Sequence, residues 1–162
     1  MPRIAIYPGS FDPVTHGHLD IIERGRTMFD RIIVAISRNP QKDSYFSIDE
    51  RVKILRSVLK KYPDVEVAQF SGLLATFAQQ RGASAVIRGL RAISDFEYEF
   101  QMALMNRRLN KRFETVFLMP DERFTYLSSS LVRQVSALGG SLKGLVPALV
   151  EKALHRRALT MA

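Results

Sequence analysis

Near the start of the chain, the segment "IAIYPGSFDPVTHGHLDIIERG" places Ser10, Asp12, Thr15, His16 and His18 in one short loop, although the whole chain has only three histidines. The hydroxyl and imidazole side chains among them suit the handling of a bound anion. Pro8-Gly9 ends an apolar run sharply, and Gly17 removes a side chain where a helix begins. Both features let a large group approach the backbone, and the free N–H groups of a helix's first turn favour negative charge. Ser10 can donate to a phosphate oxygen, and His18, one turn into the helix, can aim its imidazole at the same group. The spacing fits equally well an ordinary strand–loop–helix turn, with Thr15 as its N-cap and a chance pair of histidines. A metal held by His16 and His18 is the poorer reading, because residues two apart do not face each other on a helix.

Two later segments carry compatible chemistry. In "VIRGLRAISDFEYEFQMALMNR", Arg88 closes an apolar run, Gly89 turns the chain, and Arg91 follows. Arginines at such a point suit bidentate contact with phosphate, and they suit surface pairing with Asp95 or Glu99 as well. In "FTYLSSSLVRQV", Ser128, Ser129 and Ser130 precede a helical pattern. They read as N-caps or as a hydroxyl cradle for phosphate. Lys42, in the polar loop "RNPQKDSYF", is a further candidate cation.

The elements that must position these groups alternate along the chain. Apolar and β-branched runs predict strands at Arg3–Tyr7, Arg31–Ser37, Val65–Phe70, Ser84–Gly89 and Thr115–Pro120. Between them, 3.6-residue periodicity predicts helices at His18–Phe29, after the Ser47/Glu50 capping box, at Leu73–Gln80 and at Asp95–Leu109. Two more helices follow, near Ser129–Leu138 and Pro147–Arg157. Strand and helix alternating through short connections predict an α/β fold: an open parallel sheet of five strands, Rossmann-like, with helices on both faces. Ligands of such sheets sit beyond the carboxyl ends of the strands. Ser10, Thr15 and His18 follow the first strand, Lys42 the second, and Arg88 and Arg91 the fourth. Arg123 and the three serines follow the fifth.

Composition sets the outer bounds. The chain has 162 residues, 46% hydrophobic and 25% charged, with no repeat or linker-like stretch, and reads as one domain over 1–162. It has no cysteine, which excludes disulfides and thiolate metal sites and favours a reducing, cytoplasmic location. Its longest uncharged stretch, Val67 to Gln80, falls short of the roughly 18 residues of a membrane span. A net charge of +8 favours anionic partners without choosing among them. A basic nucleic-acid module is disfavoured, because the cations sit in strand-end loops rather than in one stripe and no aromatic RNA-binding signature is present.

The blocks "YPGSFDPVTHGHLDII", "IRGLRAISDFEYEFQMALMNR" and "VFLMP…YLSSSLVRQV" resemble the signatures of bacterial phosphopantetheine adenylyltransferases. Thr15-His16-Gly17-His18 matches the (H/T)-x-G-H motif of their superfamily, the nucleotidylyltransferases. The motif alone marks the superfamily; the block from Ile87 to Glu99 narrows it, and the resemblance spans essentially the whole chain. It implies the nucleotidyltransferase fold and transfer of an adenylyl group from ATP to 4′-phosphopantetheine, giving dephospho-coenzyme A and pyrophosphate without a covalent intermediate. It implies His18 as the catalytic residue. Ser10, Phe11, Gly89, Leu90, Arg91, Glu99 and the segment Phe124, Thr125, Tyr126, Leu127, Ser128, Ser129 and Ser130 would bind ATP, together with His18. Ser10, Lys42, Leu74 and Arg88 would bind the acceptor. The resemblance further implies Mg²⁺ held mainly by ATP phosphates and water, coenzyme A as an inhibitor, and a homohexamer, with neither nucleic acid nor membrane as partner. Within the superfamily, nicotinamide mononucleotide and glycerol phosphate are the alternative acceptors.

Overall fold

The computed structural model describes residues 1–39 and 43–161. The described elements run β1 (Ile4–Gly9), α1 (His16–Arg26), β2 (Arg31–Ser37), α2 (Ile48–Leu59), β3 (Val65–Phe70) and α3 (Leu74–Gln80). They continue with β4 (Ala85–Gly89), α4 (Ile93–Leu109), β5 (Glu114–Leu118), a 3₁₀ turn (Glu122–Phe124), α5 (Ser129–Ala137) and α6 (Ala148–Met161). All strand pairings are parallel, in the order β3-β2-β1-β4-β5. The α/β architecture expected from the sequence is the one observed.

The β-branched strands alternate their side chains between two apolar layers. Ala5, Tyr7, Ile32, Val34, Ile36 and Ile87 face the layer built with α1, α2, α5 and α6. Ile6, Ile33, Ala35 and Val86 face the other layer, where Phe70 stacks on Phe77 of α3. Close packing under α1 explains Gly25: a Cβ there would lie 2.8 Å from Ile87 Cδ1 and 2.9 Å from Ile32 Cδ1. No helix among the described residues is long and apolar enough to cross a membrane.

Element ends differ from the sequence expectation in two informative places. Helix α1 begins at His16 rather than His18, because Thr15 caps it and His18 takes the third position of a capping box normally held by Glu or Gln. Helix α4 begins at Ile93 rather than Asp95. It is also apolar on faces that the fold leaves bare: Phe96, Phe100, Leu104, Met105 and Leu109 are exposed.

The order of the strands creates the site. From the central β1 the chain proceeds outward through β2 and β3, then returns to the other side of β1 with β4 and β5. The loops after β1 and β4 therefore diverge, leaving a crevice between the carboxyl ends of neighbouring strands.

Candidate active site

A cleft of about 340 Å³ opens in that crevice. β1 and its loop supply Tyr7 to Phe11. The start of α1 supplies Thr15, Gly17 and His18. The end of β4 supplies Arg88, Gly89 and Arg91, α4 supplies Asp95 and Glu99, and the segment after β5 supplies Phe124, Leu127, Ser128 and Ser129. Motif residues far apart in sequence thus converge on one rim. Leu90, Thr125, Tyr126 and Ser130 do not line the cleft. Leu90 bonds its N–H to Leu118 O at 3.0 Å, and the other three are exposed. Arg123 turns away to Asp121 and solvent. Lys42 lies outside the described residues.

The loop after β1 is held from several sides. Phe11 adopts φ 46°, a left-handed backbone conformation rare for a bulky residue. Its buried ring is fixed between Tyr7 and His18, with ring centroids at 5.3 and 5.0 Å, and such packing can over-determine a strained backbone. The Asp12 carboxylate, buried, accepts from the N–H groups of Tyr45 at 2.6 Å and Phe46 at 2.8 Å. Arg51, buried on α2, donates from Nη1 to Ser10 O at 2.8 Å. Arg133 of α5 donates to Asp12 O at 2.7 Å, and Ser129 Oγ donates to Pro13 O at 2.7 Å.

His18 is placed by the capping box. Thr15 N–H donates to His18 Nδ1 at 3.0 Å, His18 N–H reaches Thr15 Oγ1 at 3.4 Å, and Thr15 Oγ1 lies 3.3 Å from Nδ1. Burial, aided by the charges of Arg91 and Arg88, pushes the His18 pKa down to about 4. Burial likewise pushes the Tyr7 phenol above its ordinary range. The imidazole is therefore neutral near pH 7 in the free protein.

Arg88 meets Glu99 in a two-point contact, Nε to Oε2 at 2.8 Å and Nη2 to Oε1 at 2.6 Å, and it also donates to Pro8 O at 3.2 Å. Burial works against the guanidinium charge, but the Glu99 hydrogen bonds and charge hold its pKa above the ordinary value. Arg91 donates to Leu127 O at 2.9 Å, tying the segment after β5 to the β4 loop. Behind Arg88 and Glu99 lies a second, narrower cavity of about 120 Å³, lined also by Leu74, Tyr98, Met102 and Asn106. Arg88 and Glu99 thus form a wall common to both cavities.

Sequence reasoning passed over Asp12, Arg51, Arg133, Tyr98 and Asn106. Arg51 had a visible signal, a charge on the apolar face that runs through Ile48, Val52 and Leu55. Asp12 reads as an ordinary turn residue, and its buried partners come from a loop far along the chain. Among the described residues no group of three or more His, Cys, Asp or Glu side chains could hold a metal ion. The two carboxylates of the cleft already face arginines, Asp95 across 3.6 Å from Arg91 and Glu99 against Arg88.

A nucleotide-sized cleft at the switch point of a parallel sheet, rimmed by a capped histidine, hydroxyls and guanidinium groups, defines a nucleotide-binding α/β protein. Comparison with known proteins narrows that class. The Cytidylyltransferase-like family model matches residues 6–135. A phosphopantetheine adenylyltransferase from Desulfosudis oleivorans is 57% identical over 155 residues, covering 96% of this chain and 92% of the relative. One from Caldanaerobacter subterraneus is 55% identical over 155 residues, covering 96% and 97%. The fold is shared with a solved structure from Vibrio parahaemolyticus, assigned as a nicotinate-nucleotide adenylyltransferase, at a TM-score of 0.72 and 17% identity over 100% of this chain and 98% of that one. The chain belongs to the cytidylyltransferase-like family and, within it, to the phosphopantetheine adenylyltransferases.

Proposed function

We infer that this enzyme transfers the adenylyl group of ATP to 4′-phosphopantetheine, yielding dephospho-coenzyme A and pyrophosphate. The observation that carries the reading is the pair of cavities meeting at Arg88 and Glu99. The wider one is sized and charged for a nucleotide, and the narrower one, with Leu74, Tyr98 and Met102 in its lining, suits a slender arm. An acceptor phosphate at their junction would lie beside Arg88.

In this reading an acceptor phosphate oxygen attacks the α-phosphorus in line. A new P–O bond forms as the bond to the β-phosphate's bridging oxygen breaks, and pyrophosphate leaves with the electron pair. The protein contributes position and charge complementarity. His18 donates to an α-phosphate oxygen as negative charge builds there, and Ser10 contacts the phosphates at the end of β1. Phe11, Gly89 and Arg91 form the nucleotide side, with Phe124, Leu127, Ser128 and Ser129 closing over it. Glu99 fixes Arg88, and Arg88 and Leu74 form the acceptor side, to which the family resemblance also assigns Lys42.

Mg²⁺ would be held by ATP phosphate oxygens and water, since the carboxylates of the cleft already face arginines; it would neutralise phosphate charge. Coenzyme A, which carries both the adenylyl and the pantetheine moieties, would act as an inhibitor. The bare apolar surface of α4 supports assembly of copies through that helix, and the family resemblance makes the expected assembly a homohexamer. Use of ATP and the absence of cysteine favour the cytoplasm.

The direct test is to incubate the pure protein with ATP, Mg²⁺ and 4′-phosphopantetheine and to look for dephospho-coenzyme A by mass. A parallel panel containing nicotinamide mononucleotide and glycerol phosphate checks the acceptor. Turnover with either of these but not with 4′-phosphopantetheine would reject the proposed acceptor.

A further inference from the structure

We propose that Thr15 is a positioning residue that locks His18 as a neutral imidazole carrying its one proton on Nε2, the nitrogen on the side of the ring away from Thr15. The inference rests on the adenylyl-transfer reading for its catalytic meaning, but its geometric basis does not depend on that reading.

The tautomer is set by the atoms that meet at Nδ1. Thr15 N–H approaches it at 3.0 Å, so Nδ1 must present a lone pair; a proton there would oppose that donor. The Thr15 hydroxyl completes the constraint. Its oxygen accepts the His18 N–H at 3.4 Å, which leaves its own hydrogen free to turn toward Nδ1 at 3.3 Å. Two donors from one residue therefore aim at one ring nitrogen. The second observation is packing: Thr15 is 1% exposed, and the imidazole lies edge-on to the Phe11 ring, which limits flipping of the ring.

The surroundings act in the same direction. Among the described residues, the charged and titratable groups facing His18 are Tyr7 of β1, Arg88 of β4 and Arg91 of the following loop. The two guanidinium groups lower its proton affinity, and the tyrosine is neutral. Of the cleft's two carboxylates, both on α4, Glu99 is committed to Arg88 and Asp95 faces Arg91. A bound triphosphate would partly offset the arginines and draw a proton toward the ring. The Thr15 donors resist this, because imidazolium would need an N–H where two donors already point. His18 then acts as a hydrogen-bond donor of fixed direction whose charge does not change during turnover.

Nitrogen NMR on protein labelled at histidine tests the lock without any turnover. In the free protein, and with a non-hydrolysable ATP analogue, His18 should show an unprotonated Nδ1 and a protonated Nε2 from neutral pH to below pH 6. A proton on Nδ1, or an imidazolium at pH 7 in either state, overturns the proposal even if dephospho-coenzyme A is made. The expected spectrum without turnover instead rejects the adenylyl-transfer reading and leaves the lock standing.

Thr15→Val removes the hydroxyl at nearly constant volume. It should raise the pH at which His18 titrates and lower kcat by about two- to tenfold, the worth of one hydrogen bond, with KM for ATP little changed. Thr15→Ser should restore both. Wild-type titration and kcat in Thr15→Val would remove the hydroxyl from the mechanism. If that variant does not fold, the wild-type spectra still decide the tautomer.

Discussion

The Arg88 guanidinium and the Glu99 carboxylate lie in fork-to-fork contact, with bonds of 2.8 and 2.6 Å, at the junction of the two cavities. Glu99→Gln keeps the shape but leaves a largely buried cation without its counter-charge. We expect a loss of about 1–2 kcal/mol of stability, measured by urea unfolding, with KM rising for both substrates. Arg88→Lys should not preserve either property, because an ammonium cannot reproduce the two-point contact. A Glu99→Gln enzyme with unchanged KM for both substrates would refute the shared-wall role.

His18→Ala should cost roughly 10²–10³ in kcat, the typical effect of deleting one preorganised donor. It also removes half of the capping box, so stability should fall by about 1 kcal/mol. Single-turnover rates with saturating ATP, set beside a melting curve, separate the two effects. Near wild-type turnover would remove His18 from the chemistry.

Gly17 offers a contrast between folding and activity. A Cβ there would meet Thr15 Oγ1 at 3.4 Å and Phe124 Cβ at 3.6 Å, ordinary contacts that the protein can accept. Gly17→Ala should therefore fold with equal or slightly greater stability, up to about 1 kcal/mol from helix propensity. It should nevertheless lose ATP affinity, because the methyl occupies the phosphate approach. Equilibrium binding of ATP decides the matter.

The depressed pKa of His18 has a consequence for acid stability. In the unfolded chain the group titrates near its ordinary value of 6.5, and in the fold near 4. Between those values the unfolded state binds the extra proton, so stability rises with pH across that window and is lost on acidification. Urea unfolding at pH 7 and pH 4.5 should show a smaller drop for His18→Gln than for wild type. Equal drops would mean that burial does not hold the imidazole neutral.

Assembly through α4 is checked by sedimentation velocity. Wild type should sediment as a hexamer, and Met105→Glu, which places a charge at an exposed apolar position, should shift the population to smaller species. A wild-type monomer at micromolar concentration would reject the assembly.

Much of the architecture was legible because the strands and helices obey simple periodicities. The runs Arg31–Ser37 and Val65–Phe70 became strands with the expected limits, and the Ser47/Glu50 box opens α2 as the spacing implied. The convergence of Ser10, His18, Arg88, Arg91 and Ser129 followed from the strand-end rule. Other features were hidden because they depend on contacts distant in sequence. Asp12 gains its partners from Tyr45 and Phe46, and buried Arg51 donates to the distant Ser10 O as well as to Phe46 O and Ser47 O nearby. The start of α1 stays open in the sequence between Thr15 as N-cap and a helix from His18, because histidine is not the residue usually found at the third position of a capping box. The exposed apolar residues of α4 blurred its boundary: a helix apolar on several faces gives no stripe from which to read its beginning.

The wall that Arg88 and Glu99 present to both cavities also has a pharmacological meaning. A single compound bridging the two chambers would displace nucleotide and acceptor together, so a tethered bisubstrate ligand should compete against each. Its linker would have to thread past one guanidinium, which makes an anionic centre at that point the natural choice for a designed antagonist.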